Sequence, residues 1–477
     1  MSLHLYDSKT QSLRAFEPLR AGEVGIYLCG PTVQSEPHVG HLRSALAYDQ
    51  LRRWLVARGM RVTLVRNVTD IDDKVLVNSV ERGKDWWALA YEMEQVFNSA
   101  YRALGIEAPT YEPRATGHIP EMIALIERLI SAGFAYQATD GSADVYFAAS
   151  KWADYGELTR QKLDDMADAG DADPRGKRDA RDFTLWKAAK DGEPTTAFWA
   201  SPWGVGRPGW HIECSAMSTK YLGSQFDIHG GGLDLRFPHH ENELAQSRAA
   251  GDAFANYWLH NGLVNVGGQK MSKSLGNSVF AADLLAAGSP LAVRYWLGSA
   301  NYRSILDYSE SSLTEAQANL DRIAGFLTRV ARLDKSVSVE VALERSFAHL
   351  PAEFVVAMDE DLNIPAALAV VFDCVRAGNA AIDGAELGKA TDLALQVRAM
   401  LAVLGIDPLS SRWNSATSGA SGEHEALDQL IQSLLQQRMD ARANKDFARA
   451  DEIRNQLSAA GIALSDGADG THWSVNV

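Results

Sequence analysis

Between Val24 and Val68 the chain spells out a strand, a helix and a second strand, and that order restricts the fold more than any other stretch. Val24 to Cys29 reads as a buried strand, β-branched at Val24 and Ile26, and the turn Gly30-Pro31 follows. From about His41 to Arg58 the residues Leu42, Ala45, Leu46, Leu51, Trp54 and Leu55 recur near helical period, and Gly59 stops the run. Arg61 to Val68 then reads as a second buried strand through Val62-Thr63-Leu64-Val65. Two such strands joined by a helix form a βαβ unit. The expected class is therefore α/β with a Rossmann-like parallel sheet. No G-x-G-x-x-G follows the first strand and no Walker A element occurs, which argues against a dehydrogenase or a P-loop enzyme.

A chain of 477 residues exceeds one ordinary core, so three or four domains are expected. Met1 to Thr10 lacks the apolar centre of a signal peptide, and no uninterrupted apolar run approaches the roughly 20 residues of a membrane span. Cys29, Cys214 and Cys374 are too few for a disulfide scaffold. These features predict a cytoplasmic protein with no membrane partner. A net charge of −15 excludes a sequence-blind DNA coat, and no DNA partner is expected. RNA would have to be met by local basic patches.

Ile119 to Ala132 reads as an amphipathic helix, and Lys162 to Arg181 as an exposed insertion loop. Order returns at Phe183-Thr184-Leu185-Trp186, and from Leu313 to about Leu404 the pattern is helical almost throughout. Pro408 to Glu423 has the composition of a linker, and a small module from about Ala426 to Val477 follows it.

Three groups of residues suit chemistry. Lys270-Met271-Ser272-Lys273-Ser274, followed by Leu275-Gly276-Asn277, suits a triphosphate, since lysines supply point charge and hydroxyls supply hydrogen bonds. Pro37-His38-Val39-Gly40-His41 stands where the first helix begins, and a helix N-terminus attracts phosphate. Imidazoles there can donate to phosphoryl oxygens as charge develops, although capping or surface histidines would leave the same pattern. Finally, Cys29, Cys214, His239 and Glu243 are acceptable zinc ligands, with His239 and Glu243 four apart on one helical face behind Pro238. Taken singly, each cysteine is as readily a small apolar filler, and spacing alone does not join Cys29 to Cys214. In the last module Arg438, Arg442, Lys445 and Arg449 would form a stripe on one continuous helix. Asn444-Lys445-Asp446 reads as a break, however, and interleaved acidic residues favour a solvated charged face on pattern alone.

The two phosphate-suited elements, in that order, resemble the His-x-Gly-His and Lys-Met-Ser-Lys-Ser signatures of class I aminoacyl-tRNA synthetases. Ile26 to Val33, Arg66 to Lys74, Gly209 to Met217, Phe226 to Gly232 and Phe237 to Glu243 look like the cysteine-specific branch, with likeness from about Leu3 to Trp473. The resemblance implies one Zn2+ held by Cys29, Cys214, His239 and Glu243 at the floor of the amino-acid pocket. It implies cysteine binding by Thr69, Trp210 and Asp234, and ATP binding by His38, Gly40, His41, His229, Gly231 and Lys273. His38, His41, Lys270 and Lys273 would be catalytic. The final module, with Ala460-Gly461-Ile462 and Trp473, is similar to an anticodon-binding domain, and Arg438, Arg442 and Arg449 would touch tRNA. Two departures, Gln34-Ser35-Glu36-Pro37 and Leu233, question local loop shape only.

The domain layout that follows is a first catalytic half at 1–120, a connective insertion at 121–200 and a second catalytic half at 201–265. A signature-loop region at 266–312, a helical bundle at 313–407, a linker at 408–425 and an anticodon-binding domain at 426–477 complete it. The expected activity is ligation of L-cysteine to cysteine tRNA with ATP and its Mg2+, by a monomer. Zinc is borderline-soft, so it would separate cysteine from serine by sulfur chemistry, where shape selection on so small a difference discriminates little. The alternative is a cysteine ligase acting on an amino-sugar acceptor, which would not need the segment from Ala426 to Val477. A non-catalytic RNA-binding relative is a third reading, but both phosphate signatures stand whole.

Overall fold

The structure is a computed structural model that describes residues 2–161, 176–271, 276–414, 421–467 and 470–475. It divides into two compact units, Met1–Leu409 and Ser410–Val477.

In the first unit four parallel strands form a sheet in the order Phe254–Asn261, Gln225–Gly232, Glu23–Leu28, Arg61–Arg66. The expected βαβ unit is present: Glu23 pairs with Arg61 and Leu28 with Arg66, and the helix Val39–Ala57 makes the crossover. That helix buries Leu42, Ala45, Leu46, Leu51, Trp54 and Leu55, as the period requires. It also buries Arg43, Asp49, Gln50 and Arg53, because the helices Pro290–Gly298 and Leu387–Leu404 cover its other side. The strands end together at Leu28, Arg66, Gly232 and Asn261, the edge where open α/β sheets bind ligands.

An antiparallel sheet of Ala135–Gln137, Val145–Phe147, Phe183–Ala188 and Gly206–Pro208 follows the helix Ile119–Ser131. Its last strand lies beyond residue 200, where the insertion was expected to end; Gly206 permits this, since a Cβ there would meet the Lys187 carbonyl at 2.1 Å. Of the expected insertion loop, 162–175 lies outside the described residues. Ser312–Leu333, Ala352–Asp359, Ile364–Asp383 and Leu387–Leu404 form the expected helical region. Ile364–Asp383 is long and apolar enough, by length and composition, to cross a membrane. It buries Ala367, Leu368, Val371 and Val375 and packs on Leu387–Leu404.

The second unit has two helices, Ser421–Ala443 and Phe447–Ala459, and a hairpin of Ile462–Gly467 with Gly470–Val475. Ile431, Leu435, Ile453, Leu457 and Ile462 form its core. The first helix begins inside the segment expected to be linker, and residues 444–446 break the pair as anticipated.

Candidate active site and metal centre

Cys29 follows the first strand directly, and Cys214 lies one turn inside the helix Trp210–Leu222. His239 and Glu243 come from a π turn, Arg236–His240, and the helix Glu241–Ala249 after it, so the α-helix starts later than Pro238 suggested. One ligand atom from each of the four residues lies within 4.8 Å of all the others, and every one is buried. Cys29 Sγ is 3.7 Å from Cys214 Sγ and 3.3 Å from Glu243 Oε1, which is 3.0 Å from His239 Nε2. Two sulfurs, one imidazole and one carboxylate, all buried and converging, are a donor set that fits Zn2+.

The electrostatics agree with a site short of positive charge. Burial pushes the Cys29 thiol well above its ordinary value, and Cys214 and Glu243 add to this. Burial would raise Cys214 too, but the Cys29 hydrogen bond and His239 bring it down to about 6. Burial would lower His239, yet Glu243 and Cys214 raise it to about 10. Glu243 is held well below the carboxylate range, against burial, by His229 and His239.

A further layer holds the ligands. His239 Nδ1 is 2.9 Å from His211 Nδ1, whose protonation burial and His239 disfavour, so a neutral His211 can accept from His239. His229 Nε2 is 2.9 Å from Glu243 Oε2, and its ring stacks on Trp258 at 4.5 Å. His240 continues the layer to His260 at 2.8 Å. Such partners fix the tautomer and aim of metal ligands. Cys29, His229, His240 and Glu243 also meet the 4.8 Å condition. His229, however, already bonds the Glu243 oxygen that faces away from Cys29, which favours the tetrad with Cys214 and His239.

The phosphate signature begins the crossover helix. His38 is its N-cap: His38 Nδ1 accepts from the Gly40 N–H at 3.2 Å, and His41 Nδ1 accepts from the His38 N–H at 3.1 Å. The two rings stack at 3.7 Å. A Cβ on Gly40 would meet the His38 ring at 3.1 Å, so glycine admits the fold-back. The segment after the basic loop docks against this cap. The Val39 N–H donates to Val279 O and the Ala281 N–H to Pro37 O, both at 2.9 Å, with His38 bridged to Phe280. Residues more than two hundred apart in sequence thus form one edge. Lys273 lies outside the described residues, as does the side chain of Lys270, whose backbone pairs with Asn265.

Among the residues expected to hold cysteine, Trp210 lies 4.1 Å from the His239 ring and Thr69 is buried on Glu213, while Asp234 is exposed on the turn Leu233–Leu235. The glycine strand is closed from behind by Tyr48, one face of the crossover helix. Its hydroxyl receives the Gly231 N–H at 2.7 Å and donates to Leu259 O at 2.6 Å. His229, expected beside the nucleotide, is fully buried and bonds Glu243, and Gly231 stands near the strand end. The arginines of the second unit also differ among themselves: Arg438 is buried, whereas Arg442 and Arg449 are exposed, Arg449 pairing with Glu452. His211, Glu213, Tyr48 and Asn67 were not anticipated. Only His211 left a signal, standing three residues before Cys214.

Family models match three segments: tRNA synthetases class I (C) catalytic domain at residues 15–318, DALR domain at 353–408, and cysteinyl-tRNA ligase anticodon binding domain at 424–473. A cysteine–tRNA ligase of Clavibacter sepedonicus is 61% identical over 485 residues, spanning 100% of both chains. One of Leifsonia xyli is 60% identical over 480 residues, again 100% of both. Among solved structures, Mycobacterium tuberculosis methionyl-tRNA synthetase in complex with methionyl-adenylate superposes with a TM-score of 0.58 at 18% identity. That alignment covers 83% of this chain and 92% of the other, a likeness of fold.

Proposed function

This chain belongs to the cysteine–tRNA ligase family and ligates cysteine to its tRNA with ATP; on that premise we propose which residues carry the reaction. The match of the anticodon-binding model at 424–473 disfavours an amino-sugar acceptor. The observation that carries the proposal is the buried tetrad of Cys29, Cys214, His239 and Glu243. When bound there, Zn2+ supplies a soft cation that takes the substrate sulfur as thiolate, so cysteine is separated from serine by chemistry instead of size.

Thr69, Trp210 and Asp234 surround the amino acid in this reading. The substrate carboxylate attacks the α-phosphorus of ATP, releasing pyrophosphate, and a ribose hydroxyl of the terminal adenosine then takes the cysteinyl group. His38 and His41 donate to phosphate oxygens at the helix end, while Lys270 and Lys273 add charge and Gly40 and Gly231 let backbone approach the nucleotide. Mg2+ enters with ATP. Arg442 and Arg449 contact tRNA from the second unit, and the enzyme works as a cytoplasmic monomer.

Metal analysis tests the pocket: the protein should hold about one zinc per chain, and Cys214→Ser should lose most of it. A zinc-free protein that still activated cysteine would overturn the assignment. Lys273→Ala should slow cysteine-dependent pyrophosphate exchange by about 100-fold or more with zinc unchanged, and normal exchange would remove that residue from its role.

A further inference from the structure

Glu213 is a buried carboxyl to which neither signature nor metal set gives a task. It is the last link of a directed chain of hydrogen bonds. The Gly30 N–H donates to Asn67 Oδ1 at 2.8 Å, Asn67 Nδ2 donates to Thr69 Oγ1 at 3.2 Å, and Thr69 Oγ1 donates to Glu213 Oε2 at 3.0 Å. The chain starts on the residue after Cys29 and ends on the residue before Cys214. Its members have little room to relax. A Cβ at Gly30 would fall 1.6 Å from the Asn67 carbonyl, and Thr69 is pinned by its backbone N–H to Pro31 O and by the Val33 N–H to its own carbonyl, both at 3.1 Å. Asn67, Thr69 and Glu213 are each 0–1% exposed.

A hydroxyl has one hydrogen and two lone pairs. Here Asn67 and Glu213 both bond the Thr69 hydroxyl, and together they fix its rotamer. We infer that Glu213 is a positioning residue that acts through Thr69, holding that hydroxyl in one rotamer for the bound amino acid. This rests on the reading of Thr69 as part of the cysteine pocket. It separates two tasks: Cys29, Cys214, His239 and Glu243 would hold the zinc that selects the sulfur, and the Asn67–Thr69–Glu213 chain would position a hydroxyl against the rest of the substrate.

Cysteine-dependent pyrophosphate exchange, with zinc content and calorimetric cysteine affinity measured on the same samples, tests it. Glu213→Ala should raise the cysteine KM and Kd about tenfold, while the ATP KM and the zinc content stay at parental values. Glu213→Gln keeps a hydrogen-bonding group at the same reach and should restore most of the loss. Asn67→Ser removes the upstream donor, should give the same selective rise, and serves if the alanine variant does not fold. An unchanged cysteine KM in these variants, a parallel rise in both KM values, or a glutamine variant as impaired as alanine would each overturn the inference. If the parent protein itself showed no cysteine-dependent exchange, the assignment of activity would fail first, and separately.

Discussion

His211 shows how much of a metal site lies one bond beyond the ligands. Its Nδ1 meets His239 Nδ1, so it can hold the proton on the nitrogen turned away from Glu243 and leave Nε2 for a metal. His211→Ala should weaken zinc binding about 10–100-fold in a chelator competition while leaving the fold intact. Zinc retention equal to the parent would show that His239 needs no such partner. At this scale the sequence was uneven. His239 and Glu243 were legible as a pair because four residues span one helical turn. Cys29 and Cys214 are 185 residues apart, and only resemblance joined them. The contact of His229 with Glu243 was not legible either, because a histidine in a strand of glycines has the same appearance whether it faces ligand or core.

Among the elements, the crossover helix was read correctly from its apolar period, yet that period missed half its contacts. Tyr48 lies on it and ties it to two strands through a single oxygen. Tyr48→Phe leaves the Gly231 N–H and the Leu259 carbonyl without that partner and should lower stability by about 1–3 kcal/mol in urea unfolding. Gly230→Ala should be worse, since its Cβ would lie 2.2 Å from the Tyr48 ring. A neutral result in both would mean the strand is held by its ladder alone. The helix Trp210–Leu222 escaped the sequence reading because Ile212 to Ser218 are buried without interruption, leaving no polar face to reveal a period. The small antiparallel sheet was equally hidden, since strands of three residues carry too little alternation to register.

For the molecule as a whole, Asp49 joins three elements of the first unit. It accepts from Arg53 at 3.0 Å, Arg294 at 2.5 Å and the Glu107 N–H at 3.0 Å, and Arg294 reaches on to the Leu104 and Leu404 carbonyls. Burial would raise its pKa from 3.8, but Arg53 and Arg294 lower it to about 2. Because the folded value is the lower one, this stabilisation is complete above 3.8 and disappears as pH falls through about 2. Asp49→Asn should flatten that part of the acid-unfolding profile and destabilise by about 3–5 kcal/mol at neutral pH, since buried arginines lose their counter-charge. An unaltered profile would place the acid response elsewhere. The second unit has its own core, so a chain ending at Leu409 should still exchange pyrophosphate, while tRNA charging falls about 100-fold or more. Charging at the parental rate would refute its part in tRNA recognition.

The paired imidazole cap has an outcome for proton placement. Because His38 and His41 each receive a backbone N–H at Nδ1, neither neutral ring can carry its hydrogen there. Both neutral rings are thereby held in the tautomer protonated at Nε2, so the bonds that close the helix also decide which nitrogen carries the hydrogen. In the proposed role, closing the helix and greeting the phosphate, which looked like rival duties for these histidines, would be two ends of the same ring.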